Sequence, residues 1–253
     1  MLLKNSLLIK LKKFVLTKVR FKSHLWNILY FLYTFGMPRL PLISIKEALD
    51  FYSRNNKNIF FIEIGANDGV TVDPLRSYII RDQWSGILVE PVKRVFDLLK
   101  FNYRGYQNLI FENVAVADKE EIRPLYVSCY DQSNVRSSLS REIVIDTFTR
   151  GCSVEKDLIV EKVQCLTFPK LLEKHGVVKV DLIMIDAEGS DYEIIKTIDF
   201  NKIKPSIIIF ERNNLSIYDY KGCINILAKN GYRLYKDEID VIAVKDLDLI
   251  KKI

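Results

Sequence analysis

Residues that bind transition metals or form disulfides are scarce in this sequence, which has two histidines and four cysteines in 253 residues. The cysteines are Cys129, Cys152, Cys165 and Cys223. Their wide spacing contains no CxxC or Cys/His ligand pattern, so we expect reduced thiols in a cytoplasmic compartment, with a disulfide pair as the less favoured alternative. Neither histidine is predicted to be catalytic, since His24 lies in an N-terminal extension and His175 precedes a glycine, as at a helix end.

Acidic residues are absent from the first 46 positions, which carry nine Lys or Arg. The remaining residues include 29 basic and 32 acidic side chains, so the net charge of +6 arises from the N-terminal segment alone. A protein that acts on nucleic acid usually spreads positive charge around its binding face. The main part of this chain has no such excess, and nucleic acid is therefore not expected as a partner.

Glycine and proline are absent from residues 2–35, and this absence predicts one or two helices that end near Gly36 and Pro38. The apolar run at 25–37 is too short to span a bilayer, which needs about 20 apolar residues, and no small-residue cleavage site of a signal peptide follows it. A basic helix followed by an aromatic stretch suits an anionic membrane surface. Residues 1–45 are therefore predicted to form a basic, amphipathic and aromatic helical extension, which either contacts such a membrane through residues 1–40 or packs as a cap on the domain.

Short apolar runs alternate with helical patterns from residue 59 onward, and this alternation predicts a parallel sheet with crossover helices. The length and the 49% hydrophobic composition fit one α/β domain, placed at residues 46–253. The predicted strands cover residues 59–64, 86–90, 109–115, 180–185 and 206–210, with a closing pair at 232–235 and 240–244. The predicted helices cover residues 74–80, 92–102, 167–174, 191–197 and 223–229.

A polar, serine-rich stretch interrupts this alternation at about residues 120–164 and contains short β-like pieces at 124–128 and 158–165. It is predicted to be an insertion, and long loops at the C-terminal edge of such a sheet commonly supply the substrate pocket. Within it, the run 133–141 could bind a polar or anionic acceptor through its serines and through Arg136 and Arg141. An ordinary solvated loop is an equal alternative.

The first strand runs directly into the segment Glu63-Ile64-Gly65-Ala66-Asn67-Asp68-Gly69, where glycine allows a sharp turn and close approach to a ligand. The third glycine of the GxGxxG pattern, which cradles a dinucleotide pyrophosphate, is missing. S-adenosylmethionine fits better, because its cationic ammonium and sulfonium groups tolerate a carboxylate such as Glu63. The second strand ends at Glu90, 21 residues after Gly69, where a carboxylate can accept hydrogen bonds from both ribose hydroxyls.

Four segments in this order resemble the successive motifs of the FkbM family of methyltransferases: FIEIGANDG, GILVEP, ENVAVAD and VDLIMIDAEGSDYEII. The resemblance covers about residues 57–245 and implies a class I methyltransferase fold, a Rossmann-like α/β domain with a mainly parallel seven-stranded sheet flanked by helices. It also implies S-adenosylmethionine as the cofactor and hydroxyl groups of small molecules and sugars as acceptors. By position, the residues implied to bind the cofactor are Glu63, Gly65, Ala66, Asn67 and Gly69 in the first loop, Glu90 and Pro91 at the ribose, and Asn113, Val114 and Ala115 along the adenine.

Carboxylates also follow the later strands, with Asp186 and Glu188 after the strand at 180–185 and Glu211 after the strand at 206–210. This is the sheet edge where α/β enzymes keep their active sites. Methyl transfer requires an aligned acceptor and removal of its proton, for which a positioned carboxylate can act as general base. Asp186 is the first candidate for this catalytic role and for a cofactor contact, with Glu188 and Glu211 behind it. The alternative is that Asp186 and Glu188 cap a helix beginning near Ser190.

No metal site is assigned from the sequence. Asp186, Glu188 and Glu211 carry the oxygen ligands that Mg²⁺ prefers, but their spacing does not reveal whether they converge. The expected activity is methyl transfer to a hydroxyl on a sugar of a surface glycan or its lipid-linked precursor, in the cytoplasm or peripherally at the inner membrane face. The alternatives are methylation of another small metabolite, a nicotinamide-dependent oxidoreductase and a non-catalytic membrane-associated binding module. The sequence does not indicate an oligomeric state.

Overall fold

The computed structural model describes residues 40–128, 136–148 and 158–245. The predicted helices of the N-terminal extension, Cys129, Cys152 and the first part of the serine-rich run therefore lie outside the described residues. Cys165 and Cys223 are buried free thiols. Among the described residues, no helix is long and apolar enough to cross a membrane.

Eleven strands and seven helices are found in the described ranges. The strands are β1 (Phe60–Ile64), β2 (Ser85–Val89), β3 (Leu109–Glu112), β4 (Ala115–Val116), β5 (Ile122–Ser128), β6 (Arg136–Ser138), β7 (Leu158–Leu166), β8 (Leu182–Ile185), β9 (Ile207–Glu211), β10 (Arg233–Asp237) and β11 (Asp240–Val244). The helices are α1 (Ile45–Asn55), α2 (Arg76–Asp82), α3 (Lys93–Asn102), α4 (Arg141–Phe148), α5 (Phe168–Lys174), α6 (Asp191–Thr197) and α7 (Ile217–Lys229).

The main sheet has seven strands in the order β10-β11-β9-β8-β1-β2-β3. β1 pairs in parallel with both β2 and β8, and β3 and β9 continue the parallel pairing on either side. Only β11 among these strands runs antiparallel to its neighbours β9 and β10. The chain therefore builds outward from β1 to β3 and then returns to the other side of β1. This arrangement confirms the predicted Rossmann-like class I methyltransferase fold.

Helices cover both faces of the main sheet. Phe61 of β1 belongs to a buried apolar cluster with α1, α2 and α3, whereas Ile62 and Ile64 belong to a second cluster with α5, α6 and α7. Parallel strands covered on both faces are apolar at nearly every position. The exception in β1 is Glu63, which is also buried and which belongs to the candidate site.

Helix α1 is not foreseen by the sequence analysis, although its start carries a capping signal. The Ser44 side chain accepts a hydrogen bond from the Glu47 N–H, and the Glu47 carboxylate accepts one from the Ser44 N–H. Just before the helix, Leu42 pairs in parallel with Lys236 of β10. Residues 40–43 therefore pack beside the main sheet, and residue 45, the predicted end of the extension, is the first residue of α1.

Most predicted elements differ from the structure by one or two residues at their ends, and two differ more. The predicted strand at 109–115 is divided, because β3 stays in the main sheet while β4 pairs with β7 in a second sheet. The last predicted helix begins at Ile217 rather than at residue 223, and its N-terminus is capped by the Ser216 hydroxyl, which accepts from the Asp219 N–H at 3.1 Å. Propensity patterns locate such elements better than they locate their ends.

The insertion forms a four-stranded sheet, in the order β4-β7-β5-β6, together with helix α4. β5 and β7 pair in antiparallel fashion along the whole of β5. Leu125, Val127 and Val163 of this sheet join a buried cluster with Val92 and Val95 at the start of α3. The described part of the insertion is therefore packed on the domain rather than solvated on all sides.

Candidate active site

The loop after β1, residues 65–69, is named the glycine loop here. Gly65 has a φ of +86°, and a side-chain carbon placed on it would lie 2.0 Å from the backbone oxygen of Asp186, at the end of β8. The ends of β1 and β8 therefore approach too closely for any residue except glycine. Because the chain order reverses between these two strands, this is the position where open α/β sheets bind ligands.

Backbone hydrogen bonds hold the glycine loop against the end of β2. The N–H groups of Gly65 and Ala66 donate to the carbonyl oxygen of Val89 at 2.9 and 3.0 Å. The N–H of Asn67, whose φ is 47°, donates to Oε2 of Glu90 at 3.1 Å. The Ala66 side chain itself is buried in the apolar core. The shape of this loop is thus set by its own chain and by β2.

Glu90 is buried at the end of β2, and both of its carboxyl oxygens accept backbone hydrogen bonds. Oε2 accepts from Asn67, and Oε1 accepts from the N–H of Val92 at 2.8 Å. Burial raises the pKa of Glu90 to about 7, while the hydrogen bonds from Val92 and Asn67 oppose the rise. Each carboxylate oxygen can accept a second hydrogen bond, so Glu90 retains the capacity to bind two hydroxyls.

The three residues predicted along the adenine face three different surroundings. Nδ2 of Asn113 donates to the backbone oxygens of Glu90 and Pro91, at 2.9 Å each. Val114 lines an open cleft of about 350 Å³ between β7 and α5. Ala115 is buried in the second sheet. The Asn113 amide thus binds the backbone at Glu90 and Pro91.

Glu63 lies beneath the glycine loop and is 4% exposed, and its Oε2 has no hydrogen-bond partner among the described residues. Burial raises the pKa of Glu63 well above its ordinary value, and the nearby carboxyls of Asp73 and Asp186 raise it further. The raised pKa favours the protonated form of Glu63. The negative charge that Glu63 was expected to place beside a cationic ligand stays a prediction.

Asp73, which the sequence analysis did not identify, is the hydrogen-bonded carboxyl beside Glu63. It accepts from the backbone N–H groups of Leu75 and Arg76 and from the Tyr103 hydroxyl. An aspartate directly before the predicted helix at residue 74 was the available signal, since acidic side chains favour helix N-termini.

Four carboxyls from the ends of β8 and β9 and the start of α6 form the group named the acidic edge: Asp186, Glu188, Asp191 and Glu211. They are close enough to raise one another's pKa values. Asp186 is exposed and Glu188 half-buried, whereas Glu211 is 7% and Asp191 0% exposed. The structure therefore brings together all three carboxylates that the sequence singled out, and it adds Asp191 behind them.

Few positive charges compensate the acidic edge. Loss of hydration raises the pKa of Asp186, and Arg136 opposes the rise. Burial, and then Asp186, raise the pKa of Glu188 to about 7. Burial, and then Asp186 and Glu188, raise the pKa of Glu211 to about 8. With these pKa values, Glu188 and Glu211 hold protons in part at neutral pH and can exchange one with a ligand.

One amide joins two members of the acidic edge. Nδ2 of Asn214, three residues after Glu211, donates to Oε2 of Glu188 at 2.6 Å and to Oε2 of Glu211 at 2.9 Å. Glu188 has a φ of 45°, which is unusual outside glycine. The sequence analysis missed Asn214, because its role appears only when the two loops are adjacent in space.

Asp191 is fully buried at the first position of α6. Its Oδ1 accepts from the backbone N–H of Glu211 at 3.1 Å, and its Oδ2 has no hydrogen-bond partner among the described residues. Burial, and then Asp186 and Glu211, raise the pKa of Asp191 well above its ordinary value. Ser190 is the N-cap of α6, and the acidic residues of its first turn are Asp191 and Glu193. Asp186 and Glu188 therefore lie outside the capping positions considered for them.

The insertion contacts the acidic edge directly. The Ser138 hydroxyl of β6 donates to the backbone oxygen of Glu188 at 2.8 Å, and Ile143 of α4 fills the space where a side chain at Gly189 would lie. Ser140 accepts from the N–H of Ile143 at the start of α4. Within the serine-rich run, Ser138 and Ser140 thus have structural contacts, while Arg136 faces the acidic edge electrostatically.

No group of three His, Cys, Asp or Glu side chains within the described ranges is arranged to hold a metal ion. His175, at the C-terminal end of α5, places Nε2 2.6 Å from Oε1 of Glu112, away from the acidic edge.

Several solved methyltransferases are similar to this chain in structure. The FkbM methyltransferase of Methylobacillus flagellatus is 12% identical with a TM-score of 0.50, and the match covers 87% of this chain and 53% of that one. This chain therefore spans about half the length of that protein. Precorrin-6y C5,15-methyltransferase from Geobacter metallireducens is 12% identical with a TM-score of 0.42, covering 80% of this chain and 88% of that one. Fibrillarin of Aeropyrum pernix, solved with natively bound S-adenosyl-L-methionine, is 14% identical with a TM-score of 0.39, covering 75% and 67%. At these identities the likeness shows the fold alone.

The sequence itself matches a family model. No curated protein matches the chain significantly. The model of the methyltransferase FkbM domain matches residues 63–234, which include the glycine loop, Glu90 and the whole acidic edge. This match covers more than half of the chain and confirms the resemblance seen in the motifs. The chain is therefore a methyltransferase that belongs to the FkbM family.

Proposed function

We propose that the protein is an S-adenosylmethionine-dependent O-methyltransferase that methylates a hydroxyl on a sugar of a surface glycan or its precursor. The observation that carries this proposal is the contact between the two loops of the site. The backbone of Gly65 lies against the backbone of Asp186, so a ligand seated on the glycine loop presents its reacting end to the acidic edge. A methyl donor and a group that removes a proton are then on adjacent loops.

The residues of the glycine loop fit S-adenosylmethionine. Gly65 allows a ligand close to the backbone, and Glu90 can accept two hydroxyl hydrogen bonds beyond those from Asn67 and Val92. When bound, S-adenosylmethionine supplies a methyl group that is attached to a positively charged sulfonium. After transfer of the methyl group, the sulfur leaves as a neutral thioether. The acidic edge favours a cation at this position, because its carboxyls are crowded and Arg136 is the cation that opposes their raised pKa values.

Asp186 is proposed to remove the proton of the acceptor hydroxyl as its oxygen bonds to the methyl carbon. It is the most exposed member of the acidic edge, and its backbone adjoins the glycine loop. Its raised pKa makes it a stronger base than an ordinary aspartate. A positioned general base contributes about 10²- to 10⁴-fold to such a step. Glu188 and Glu211 lie behind Asp186 and set the local charge.

The sugar acceptor and the place of action rest on other observations. FkbM methyltransferases resemble this chain in its motifs and act mainly on hydroxyls of small molecules and sugars. The nine basic residues of the first 46 positions suit an anionic membrane surface. A cytoplasmic enzyme held at the inner membrane face, where lipid-linked sugars are assembled, would combine both features.

Calorimetric titration with S-adenosylhomocysteine and, separately, NAD⁺ tests the cofactor. Micromolar binding of S-adenosylhomocysteine by the wild type is expected, weakened at least tenfold by Glu90→Gln. Asp181→Asn is the matched control, because Asp181 is a buried carboxyl that also accepts a backbone N–H, from Phe60, but at the opposite end of the main sheet. Failure to bind S-adenosylhomocysteine, or a preference for NAD⁺, would overturn the proposal.

Transfer of an isotopically labelled methyl group tests the acceptor. The purified chain would be incubated with labelled S-adenosylmethionine and a lipid-linked sugar extract, and the products hydrolysed to monosaccharides. An O-methyl sugar that is missing with Asp186→Asn supports the proposal. Label found on nitrogen, or only on molecules without sugar, would contradict the hydroxyl or the sugar assignment.

A further inference from the structure

Asn214 links the two loops that carry the acidic edge. Its Nδ2 donates to Glu188, from the loop after β8, and to Glu211, at the end of β9, at 2.6 and 2.9 Å. An amide nitrogen carries two hydrogens, so each carboxyl receives one. A single neutral side chain thus fixes the separation of two carboxyls that would otherwise repel each other.

The charged groups around Glu188 and Glu211 make the Asn214 amide donor necessary. Glu188 and Glu211 are faced by Asp186 from the end of β8 and, at Glu211, by Asp191 of α6 and Asp240 of β11. Within the described part of the chain, the cation that acts on Glu188 and Asp186 is Arg136 of β6, whose side chain is exposed. Two carboxyls crowded in this way titrate as a coupled pair rather than independently.

The backbones of Glu188 and Glu211 are each held by a hydrogen bond with another residue. The Ser138 hydroxyl holds the carbonyl of Glu188, and Oδ1 of Asp191 holds the N–H of Glu211. Because neither of these contacts reaches the two carboxyl groups, the relative placement of the carboxyls depends on Asn214.

We propose that Asn214 is a positioning residue of the acceptor side, which holds Glu188 and Glu211 as one proton-sharing pair and so keeps a single negative charge behind Asp186. The proposal rests on the proposed function, in which Asp186 is the base. It does not require Asn214 to touch the acceptor. The pair limits how much negative charge Asp186 faces, and therefore the pH at which Asp186 can accept a proton.

The first test needs no acceptor. Glutamate labelled with carbon-13 at the side-chain carboxyl would report the titration of Glu188 and Glu211, assigned with Glu188→Gln and Glu211→Gln. In Asn214→Leu, which removes both donors at similar volume, the titration of the pair is expected to move upward by about one pH unit, since a hydrogen bond to a charged group contributes about 1.5 kcal/mol. Asn214→Ser keeps one donor and should give a smaller shift, and it also serves if Asn214→Leu does not fold.

The matched control is Asn108→Leu. Nδ2 of Asn108 also donates to two acceptors, the backbone oxygens of Gln83 and Trp84, but at the start of β3. Its loss is expected to lower stability without moving the titration of Glu188 or Glu211. An unchanged titration in both Asn214 variants would overturn the proposal.

The second test uses methyl transfer to the sugar extract over a range of pH. Asn214→Leu is expected to lower kcat about tenfold at pH 7 and to recover as the pH rises, with KM for S-adenosylmethionine unchanged. An equal loss at every pH would show a merely structural role and reject the proposal. A wild type that binds no S-adenosylhomocysteine would reject the proposed function instead, while the carboxyl titration would still decide whether Asn214 couples the pair.

Discussion

The glycine loop and the acidic edge lie side by side at the ends of β1 and β8, yet they are stabilised in different ways. In the glycine loop, three successive backbone N–H groups find acceptors on Val89 and Glu90. At the acidic edge, four carboxyls share few donors, chiefly the Asn214 amide and the Glu211 N–H. The loop is therefore shaped by its own chain, whereas the acidic edge holds an electrostatic arrangement that a cation or a hydroxyl donor would relieve.

The largest expected effect comes from Gly65→Ala, which would disrupt the glycine loop without removing any carboxyl of the acidic edge. The added carbon would meet the Asp186 backbone at 2.0 Å, and the positive φ adds strain. Together these effects are expected to cost about 3 kcal/mol of unfolding free energy and to abolish S-adenosylhomocysteine binding. Urea unfolding and calorimetry would measure both.

Substitutions at two other glycines distinguish the cost of a positive φ from the cost of a steric clash. Gly176 has a φ of +61° with open space around its Cα, and Gly105 has open space without a positive φ. Gly176→Ala is therefore expected to cost about 1 kcal/mol and Gly105→Ala close to nothing. If Gly65→Ala cost no more than Gly176→Ala, the close approach of the two loops would be wrong.

The next effect concerns the acidic edge and its buried carboxyl. Asp191 has a raised pKa in the folded protein, so its contribution to stability is full below the unfolded pKa and is lost as pH rises towards the folded pKa. The side chain of the Asp191→Asn variant does not ionise, so this variant does not lose stability as the pH rises. Its amide oxygen can still accept the hydrogen bond from the Glu211 N–H. The free energy of unfolding of this variant is expected to equal that of the wild type near pH 4. Above pH 4, it is expected to exceed the wild-type value by up to about 1.4 kcal/mol more for each pH unit. Urea unfolding at several pH values measures the gain, and a constant difference would show that Asp191 is not protonated in the fold.

A smaller effect is expected from the ionisation of Glu90, which holds the glycine loop. Ribose hydroxyls donate to the ionised carboxylate, and the pKa of Glu90 is about 7. Affinity for S-adenosylhomocysteine is therefore expected to be constant above pH 7 and to fall about tenfold per pH unit below it. Calorimetry in buffers of different ionisation enthalpy would detect the proton released on binding. Glu90→Gln should show no such release, and the same release in that variant would assign it to another group.

The smallest effect is expected from Ser138→Ala, which loosens the insertion from the acidic edge. Loss of the hydrogen bond to the Glu188 carbonyl should cost about 1 kcal/mol, with S-adenosylhomocysteine binding unchanged. Ser137→Ala on the same strand is the control. Thermal unfolding measures the difference, and weakened cofactor binding in Ser138→Ala would mean that the two regions are not independent.

Sequence patterns predicted the main sheet and the glycine loop because both depend on local order. Apolar runs in the central strands follow from burial on both faces, and Gly65 is required by its own backbone conformation. The roles of Asn214 and Asp191 could not be predicted, since they depend on how the loops after β8 and β9 meet. In the insertion, the β-like pieces at 124–128 and 158–165 were predicted, but their pairing into a sheet was not, because β5 pairs with β7 across a long stretch of polar sequence.

The contact between residues 40–45 and β10 has a consequence for the order in which the protein takes shape during synthesis. The N–H of Ile45 donates to Oδ2 of Asp237, 192 positions later, and Leu42 pairs with Lys236. A ribosome makes about 5 to 20 residues per second, so residues 40–45 wait about 10 to 40 s before their partner strand exists. Each doubling of the closed loop costs only about 0.6 kcal/mol, so the delay is one of timing rather than of stability. The outer edge of the main sheet is thus the last part that the nascent chain can complete.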